Sequence, residues 1–296
     1  MRRIAAFCLV WLSLACANAD EVIRYPRPES QLDHRNEYAL ELLKLALREA
    51  GSKTALIASD KVMTQDRLFS ELQDGKNLHV MWTMTTKERE TLATPIRIPI
   101  YKGLIGWRLA LIHASQSDLL ARVKTIEDLA RYTAGQARDW PDVSILRANN
   151  LKVTSVSGYE NLFSMLGEKR FDYMPRSVGE IWGEADMHRA DGVMVDPYVV
   201  IHYPAAVYFF VGKNNPELAK TIELGLRRAI QNGKFDRLFY SYYAAAIEKA
   251  RLAERTVIEL KNPSLPEQTP LNEAELWLQL PRSTATRTPI RNTPSP

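Results

Sequence analysis

Cysteine is almost absent from this sequence of 296 residues, and its two cysteines, Cys8 and Cys16, both lie near the N-terminus. The rest of the chain therefore has no thiol that could form a disulfide, act as a nucleophile or bind a metal ion. The five histidines are scattered, without the spacing of a metal site. Neither a Gly-x-Ser-x-Gly motif nor a phosphate-binding P-loop occurs. We therefore expect no enzymatic activity, no cofactor and no metal.

The chain also lacks a strong excess of charge of either sign. Its 39 lysines and arginines face 35 aspartates and glutamates, which gives a formal net charge of +4. An excess this small gives no reason to expect a nucleic-acid partner. Apolar residues make up 46% of the chain and charged residues 25%, as in ordinary globular proteins. The length suits about two lobes rather than one small core.

No long apolar run follows the N-terminus, but the N-terminus itself has the pattern of an export signal. Two arginines open the sequence, an apolar stretch covers residues 4–14, and Ala17-Asn18-Ala19 is a small-x-small cleavage site. The apolar stretch is too short to span a bilayer comfortably. We expect residues 1–19 to be a cleaved signal peptide and the mature protein to be periplasmic, with no transmembrane helix. The alternatives are an uncleaved anchor and a lipoprotein attached through Cys16.

The remaining chain alternates between apolar strand patterns and amphipathic helix patterns, such as the helical stripe in residues 38–46. This alternation predicts an α/β protein. Two such series, 20–111 and 112–204, predict two lobes, each a mostly parallel sheet flanked by helices, with a ligand cleft between them. Residues 205–262 are expected to return to lobe 1 with a strand and two helices. The Pro- and Thr-rich tail, 263–296, is expected to be partly disordered.

Three turns of the sequence are candidates for ligand binding, because ligands of open α/β sheets lie beyond the carboxyl ends of the strands. Each turn leads into a predicted helix N-terminus, where free N–H groups favour anions. Trp82 and Tyr25 could supply apolar walls, although aromatic residues near strand ends are more often core residues. The candidate residues in the three turns are Thr85, Thr86, Arg89, Gln136, Trp140, Arg176 and Ser177.

Arg176 raises a specific question about charge. Ser177 and Glu180 have the spacing of a capping box, which predicts that a helix begins at this point. Arg176 would then lie just outside the helix and oppose its dipole, at a cost of roughly 0.3–1 kcal/mol. An anionic ligand bridging the guanidinium and the helix amides would remove that conflict. A surface ion pair with Glu180 or Glu184 would explain the arginine equally well.

The order of these elements resembles the family 3 extracellular solute-binding proteins, the periplasmic amino-acid-binding type. The resemblance implies a type 2 periplasmic binding fold with a discontinuous lobe 1 and an inserted lobe 2. It also implies hinge crossings at LIGWRLALI and PAAVYFFVG, and closure of the hinge around a ligand. Four stretches carry the likeness and span most of residues 20–250: VMWTMTTKERETLATPIRIPIYKG, KTIEDLARYTAGQ, SGYENLFSMLGEKRFDYM and YFFVGKNNPELAKTIELGLRRAIQNGKFDRLFYSYY.

The resemblance assigns a role to Arg89. The segment Thr86-Lys87-Glu88-Arg89 is similar to the family's Thr-x-x-Arg motif, whose arginine holds the carboxylate of the ligand through a bidentate contact. Thr85, which has capping-box spacing to Glu88, would cap the helix first and contact the ligand second. The alternative is an exposed arginine paired with Glu88 or Glu90.

The sequence departs from the family at one position. After the strand that contains Asp172, the family usually has an acid that holds the α-amino group of the ligand, and here Arg176 and Ser177 occupy that place. A cation thus replaces an anion. We therefore expect a carboxylate-bearing, anionic ligand rather than a standard α-amino acid, held by Arg89 and Arg176 from opposite lobes.

The leading interpretation is an exported, monomeric solute-binding protein that captures a small molecule and delivers it to a membrane permease of the ABC transporter type. A second interpretation is a periplasmic sensor that reports its ligand to a signalling receptor. A third, from a different class, is a hydrolase that uses Glu180 or Glu184, which lie on one predicted helix face.

Overall fold

The computed structural model describes residues 22–28 and 36–279. The predicted signal peptide, the possible lipid attachment at Cys16 and the end of the tail lie outside these residues, so those expectations stay predictions. Within the described ranges, no helix is long and apolar enough to cross a membrane.

Strands and helices alternate along the described chain. The strands are β1 (Val22–Tyr25), β2 (Ala55–Ala58), β3 (Val80–Met84), β4 (Thr94–Ile96), β5 (Trp107–His113), β6 (Thr133–Ala137), β7 (Lys152–Val156), β8 (Tyr173–Ser177), β9 (Val193–His202), β10 (Val207–Val211) and β11 (Thr256–Glu259). The helices are α1 (Asn36–Glu49), α2 (Gln65–Asp74), α3 (Lys87–Leu92), α4 (Ile126–Leu129), α5 (Asp142–Ala148), α6 (Tyr159–Gly167), α7 (Ile181–Met187), α8 (Pro216–Gln231) and α9 (Lys234–Ala250).

Lobe 1 is built from β1 to β4, β10 and their helices. β1 and β2 pair in parallel, and β10 lies between β3 and β4, antiparallel to both. The predicted stripe of α1 is confirmed, because Tyr38, Leu42 and Ala46 are buried in the core. α8 packs so closely on α1 that a Cβ at Gly225 would lie 1.8 Å from the carbonyl oxygen of Ala46. Only glycine permits this approach.

Lobe 2 is organised around a six-stranded sheet of order β11-β9-β5-β8-β6-β7, with α4 to α7 as its helices. β5 runs antiparallel to β8 and β9, whereas β6 runs parallel to β7 and β8. The two-lobed α/β fold is therefore confirmed, but its sheets are mixed rather than mostly parallel. The reason is topological: β5 and β10 are the strands that enter each lobe from the other one, and both run against their neighbours.

The chain passes from lobe 1 to lobe 2 between β4 and β5, and returns between β9 and β10. These crossings touch, because the backbone N–H of Tyr203 donates to the carbonyl of Gly106 at 3.2 Å. A Cβ at Gly106 would lie 2.1 Å from the Tyr203 carbonyl oxygen. The expected hinge segments, 104–112 and 204–212, thus contain the crossings at their first residues, while the rest of each segment is a strand inside one lobe.

The C-terminal part of the described chain crosses between the lobes again. β11 pairs in parallel with β9 and so extends the sheet of lobe 2, although residues 205–262 were expected to belong to lobe 1 alone. The chain then returns to lobe 1, where the carbonyl of Ser264 accepts from the N–H of Lys87 at 2.9 Å. The sequence does not reveal this, because a strand of four residues at a sheet edge has no distinctive pattern.

The last described residues dock on the first crossing. The Trp277 ring lies directly over Gly103, where a Cβ would be 2.5 Å from ring atom Cε3. Its indole N–H donates to the carbonyl of Pro270 at 2.8 Å, and the N–H of Leu278 donates to the carbonyl of Lys102 at 2.7 Å. Trp277 thus packs against the crossing segment that joins the two lobes.

Replacing Trp277 by alanine should therefore lower the free energy of unfolding by about 2–3 kcal/mol. This lies below the ~3–5 kcal/mol typical of a fully buried tryptophan, because Trp277 is half-buried. Leu271→Ala is a matched control in the same segment: Leu271 is 54% exposed and its loss should cost no more than about 0.5 kcal/mol. Urea denaturation of both variants measures the difference. Equal costs would show that the segment is not docked.

Candidate functional site

A cavity of about 140 Å³ lies between the two lobes, next to the first crossing. Lobe 1 contributes mainly the end of β3 and the loops after β1 and β2. Lobe 2 contributes the start of β5, the start of α5 and the residues around the end of β8. Its polar and charged lining residues are Arg27, Asn36, Gln65, Thr83, Arg108, Asp142, Arg176 and Glu180, and its aromatic ones are Trp82, Tyr101 and Trp140.

Arg176 is a buried member of this lining, only 2% exposed. Its guanidinium forms a bidentate contact with Glu184, with Nε 2.7 Å from Oε2 and Nη2 2.5 Å from Oε1. Arg176 Nη2 also lies 3.2 Å from Glu180 Oε2, and the Trp140 ring centroid lies 4.5 Å from Arg176 Cζ. Burial by itself would lower the pKa of Arg176, but Glu180 and Glu184 outweigh it and raise that pKa.

The sequence-based interpretation of Arg176 is therefore corrected. The side chain pairs with both glutamates, as one alternative held, but the pair is buried rather than on the surface. The helix begins at Ile181, and Ser177 is the last residue of β8, so Ser177 and Glu180 form no capping box. Ser177 Oγ instead accepts from the N–H of Gly179 at 3.3 Å. A β-strand that continues through Pro175 carries Arg176 into the sheet, which the capping pattern did not indicate.

A second buried ion pair lies in the lobe 2 wall of the cavity. Arg108 Nη2 lies 2.8 Å from Asp142 Oδ1, and both side chains are about 3% exposed. The same oxygen accepts a hydrogen bond from the hydroxyl of Tyr203, which lies in the second crossing. Asp142 counteracts the effect of burial and raises the pKa of Arg108, while burial raises the pKa of Tyr203. This cluster links β5, α5 and the second crossing in the wall of the cleft.

Arg89 is buried and its guanidinium makes four hydrogen bonds to uncharged acceptors. Nη1 donates to Thr83 Oγ1 at 2.8 Å and to the carbonyl of Met84 at 2.9 Å. Nη2 donates to Gln65 Oε1 at 2.7 Å and to the carbonyl of Asp139, in lobe 2, at 3.0 Å. Burial lowers the pKa of Arg89 to about 10. The guanidinium thus joins the two lobes, and it does not line the cavity.

The other predicted residues divide into two groups. Trp82 and Trp140 line the cavity, and Tyr25 stacks behind Trp82 with ring centroids 6.3 Å apart. Thr85 is fully buried and donates to Glu90, so it is not the cap of α3; Thr86 is, because its Oγ1 accepts from the N–H of Arg89 at 3.1 Å. The remaining residue, Gln136, is fully buried and donates to the carbonyl of Pro175.

Sequence reasoning missed Arg108 and Asp142, although a signal for Arg108 was present. Arg108 is the only charged residue in the apolar segment LIGWRLALI. A charge inside a buried strand requires a buried partner, so such a residue predicts an ion pair or a ligand. Asp142 had no comparable signal, because an acid in the first turn of a helix is ordinary on dipole grounds alone.

The charges around the cavity balance. Arg176 is compensated by Glu184, with Glu180 nearby, and Arg108 is compensated by Asp142. Arg27, exposed at the edge, adds one more cation. Of the two acids that follow β8 in the next turn and helix, Glu180 lines the cavity and Glu184 does not. Among the described residues, no group of three or more potential metal ligands converges.

Comparison with known proteins rests on structure alone, since no protein-family model and no curated protein matches this sequence. An ancestral arginine-binding protein bound to arginine has a TM-score of 0.58 and 16% identity, covering 76% of this chain and 98% of its own. A periplasmic binding protein of Salmonella typhimurium with high arginine specificity has a TM-score of 0.56 and 15% identity, covering 75% and 99%. The chain has the fold of the periplasmic amino-acid-binding proteins.

A third structure of this fold is similar to the same extent. The amino acid ABC transporter substrate-binding protein AbpA of Streptococcus pneumoniae, bound to L-arginine, has a TM-score of 0.55 and 17% identity, covering 77% of this chain and 96% of its own. The resemblance to the family 3 solute-binding proteins is thus confirmed at the level of the fold. In this periplasmic binding fold, the cavity between the lobes occupies the cleft that was expected from the sequence.

Proposed function

We propose that this protein binds a small, zwitterionic molecule in the cleft between its lobes. The observation that carries the proposal is the lining of the cavity, where two buried arginines, the buried Asp142 and the half-buried Glu180 of lobe 2 face polar side chains of lobe 1. Balanced charge favours a ligand that carries both an ammonium and a carboxylate group. A dianion would place uncompensated negative charge beside Asp142 and Glu180.

The ligand proposed here differs from the anionic one expected from the sequence. That expectation needed Arg89 and Arg176 as free clamps from opposite lobes, and both guanidinium groups are engaged by protein acceptors. The reason for doubting an α-amino acid was the missing acid after β8, and the half-buried Glu180, which lines the cavity, could take that role. The cavity of about 140 Å³ suits a small ligand, since sites for drug-sized molecules usually measure ~300–1,000 Å³.

Variants of two charged lining residues, the exposed Arg27 and the half-buried Glu180, should distinguish binding of the carboxylate group of the ligand from binding of its ammonium group. Arg27→Gln should weaken ligands with a carboxylate about threefold to tenfold, and Glu180→Gln should weaken only those with an ammonium group. A tenfold loss corresponds to about 1.4 kcal/mol. Arg67→Gln, an exposed control in α2, should change the affinity for neither class of ligand.

A thermal-shift screen of amino acids, organic acids and amines finds the ligand, because a ligand at 100 times its Kd adds about 2.7 kcal/mol of stability.

Two outcomes would contradict this proposal. If no amino acid, organic acid or amine raises the melting temperature, the cleft does not bind a small molecule of these classes. If a purely anionic ligand binds and Glu180→Gln strengthens it, the ligand is anionic, as the sequence alone suggested. Calorimetry on the wild-type protein and the two variants distinguishes these results.

We further propose that the protein is exported and delivers its ligand to a membrane transporter. Export is supported by the leader pattern of residues 1–19, and delivery by the similarity to a substrate-binding protein of an amino acid ABC transporter. Intact-mass analysis of the exported protein should give a mature chain that begins after Ala19. A lipid-modified chain that begins at Cys16 would contradict a free periplasmic protein.

The carboxylates considered for hydrolysis have other roles in this geometry. Glu184 accepts hydrogen bonds from Arg176 and from the Tyr159 hydroxyl, the latter at 2.7 Å. Both oxygens of this carboxylate are occupied by donors of the protein, so its geometry is that of a structural acceptor rather than of a general base aimed at a substrate. Binding therefore accounts for these side chains better than catalysis does.

A further inference from the structure

A second cavity, of about 230 Å³, lies beside the cleft cavity and is the larger of the two. It is bounded by the first turn of α1, by α7, by α9 and by the first crossing between the lobes. Its walls are aromatic and acidic, and among the described residues no lysine, arginine or histidine lines it. The aromatic lining residues are Tyr38, Tyr101, Tyr159, Tyr242 and Tyr243.

Four of these tyrosines form one packed group centred on Tyr38. The ring centroid of Tyr38 lies 5.0 Å from that of Tyr243, 5.2 Å from that of Tyr101 and 5.5 Å from that of Tyr242. The contacts of Tyr38 with Tyr242 and Tyr243 are edge-to-face and its contact with Tyr101 is tilted, and such contacts hold the rings in fixed orientations. The face of an aromatic ring carries negative potential and attracts organic cations at distances up to about 6 Å.

The acidic part of the wall comes from Glu37, Glu180 and Glu184. Behind it, Arg176 lies 2.5 Å from Glu184 and 3.2 Å from Glu180, so one guanidinium faces two carboxylates. Glu180 Oε2 is nevertheless buried and receives no hydrogen bond from the described part of the chain. Two carboxylates, Glu180 and Glu184, thus face one guanidinium, and this local excess of negative charge favours a positively charged occupant.

The surroundings of the tyrosine hydroxyls agree with this sign of charge. Burial raises the pKa of Tyr243, and neighbouring groups that include Glu180 raise it further. Burial, with smaller contributions from Glu41 and Glu37, also raises the pKa of Tyr242. Negative groups disfavour a phenolate and favour a cation for the same electrostatic reason.

Gly183 keeps part of this cavity open. It lies within α7 and lines the cavity, and a Cβ built on it would meet no atom within 4 Å. Glycine inside a helix is less stable than alanine, because it loses more conformational freedom on folding. The packing around α7 therefore does not require glycine at this position, and a larger side chain would occupy the cavity without a backbone clash.

We propose that this second cavity binds a small organic cation of the alkylammonium class. The glutamates would provide the counter-charge and the tyrosine rings would contact the alkyl groups through cation–π interactions. A metal ion fits less well, because in the described residues no three carboxylates or imidazoles converge on one point. The volume of about 230 Å³ corresponds to about eight water molecules at about 30 Å³ each, so the ligand is compact.

The test compares a cation with a neutral molecule of similar shape. Tetramethylammonium and butylammonium are titrated against tert-butanol, with binding followed by calorimetry and by tyrosine fluorescence. The wild-type protein should bind the two cations about tenfold or more tightly than tert-butanol. Equal affinities, or no binding of either cation at millimolar concentration, would overturn the proposal, because they would make the cavity merely apolar or closed.

Variants locate the binding. Gly183→Leu should fill the cavity and abolish cation binding, whereas Gly183→Ala should retain it. Glu37→Gln, at the exposed start of α1, should weaken cations severalfold, and Glu168→Gln, on an exposed surface pair, should not. If Gly183→Leu does not fold, the pair Glu37→Gln and Glu168→Gln decides. Cation affinity that survives both Gly183→Leu and Glu37→Gln would place the site elsewhere.

This inference does not depend on the ligand of the cleft. Arg27 lines only the cleft cavity, whereas Glu37 and Gly183 line only the second one. Arg27→Gln should therefore alter the binding of a zwitterion and leave tetramethylammonium binding unchanged. Failure of either proposal is thus visible without the other, although the two cavities share Tyr101, Ile105 and Glu180 as a common wall.

Discussion

Replacing Glu184 by alanine should lower the free energy of unfolding by about 3–5 kcal/mol. Arg176 is 2% exposed and makes both of its close carboxylate hydrogen bonds to Glu184. Removing one partner of a buried pair leaves a charge that the interior solvates poorly, and this cost exceeds the net contribution of the intact pair. Since domains are stable by about 5–15 kcal/mol, the loss is a large fraction of the total.

Two further variants make this prediction specific. The surface pair of Arg170 and Glu168 serves as the control: its side chains are 66% and 62% exposed, and Glu168→Ala should cost at most about 1 kcal/mol. The double variant Arg176→Met with Glu184→Leu should recover part of the loss, because it removes both charges of the buried pair and leaves only Glu180, whose side chain is 21% exposed, without its cation. Urea unfolding followed by circular dichroism measures all three. If Glu184→Ala costs no more than Glu168→Ala, the pair is not buried.

Replacing Asp142 by alanine should cost a similar amount, about 3–5 kcal/mol. Arg108 is as buried as Arg176 but has a single carboxylate partner, at 2.8 Å, and its Nε has no hydrogen-bond partner in the described structure. The substitution also removes the acceptor of the Tyr203 hydroxyl. An unpaired cation and an unpaired hydroxyl would then be buried together in the wall of the cleft.

Tyr203→Phe is the control for the Asp142 prediction. It removes only the hydrogen bond to the carboxylate and should cost about 1.5–3 kcal/mol, less than Asp142→Ala. Because the cluster joins β5, α5 and the second crossing, Asp142→Ala should also weaken binding in the cleft, which calorimetry with the ligand from the screen measures. Stability and ligand affinity both equal to wild type would show that Arg108 reaches solvent or another partner.

The fold could be predicted in large part from the sequence, because its signals are local. The helical stripe of α1 and the apolar run of β3 are periodic patterns, and both elements formed where expected. The alternation of strands and helices indicated two α/β lobes. What it did not indicate was the direction of β5 and β10, since strand direction depends on which lobe the chain has just left.

The site was predicted less well, for a physical reason. Sequence spacing placed Arg89 and Arg176 near helix N-termini and left open whether each guanidinium binds an anion or pairs with a nearby glutamate. Whether a charged side chain is free depends on partners that are distant in sequence, such as Asp139 for Arg89. Trp82 and Trp140 line the cavity, because the end of a strand faces the cleft whatever its partners are.

By itself, the sequence determined the class of fold, the absence of thiol chemistry after the N-terminal segment and the turns that border the cleft. These follow from composition and from short periodic patterns, which one stretch of chain carries alone. Only the tertiary structure decided which charges are available to a ligand. Burial makes an unpaired charge costly, so Arg108, Arg176 and Arg89 each have partners from other elements. Spacing had indicated Glu180 and Glu184 as possible partners of Arg176, but only the fold buried that pair and brought Asp142 to Arg108.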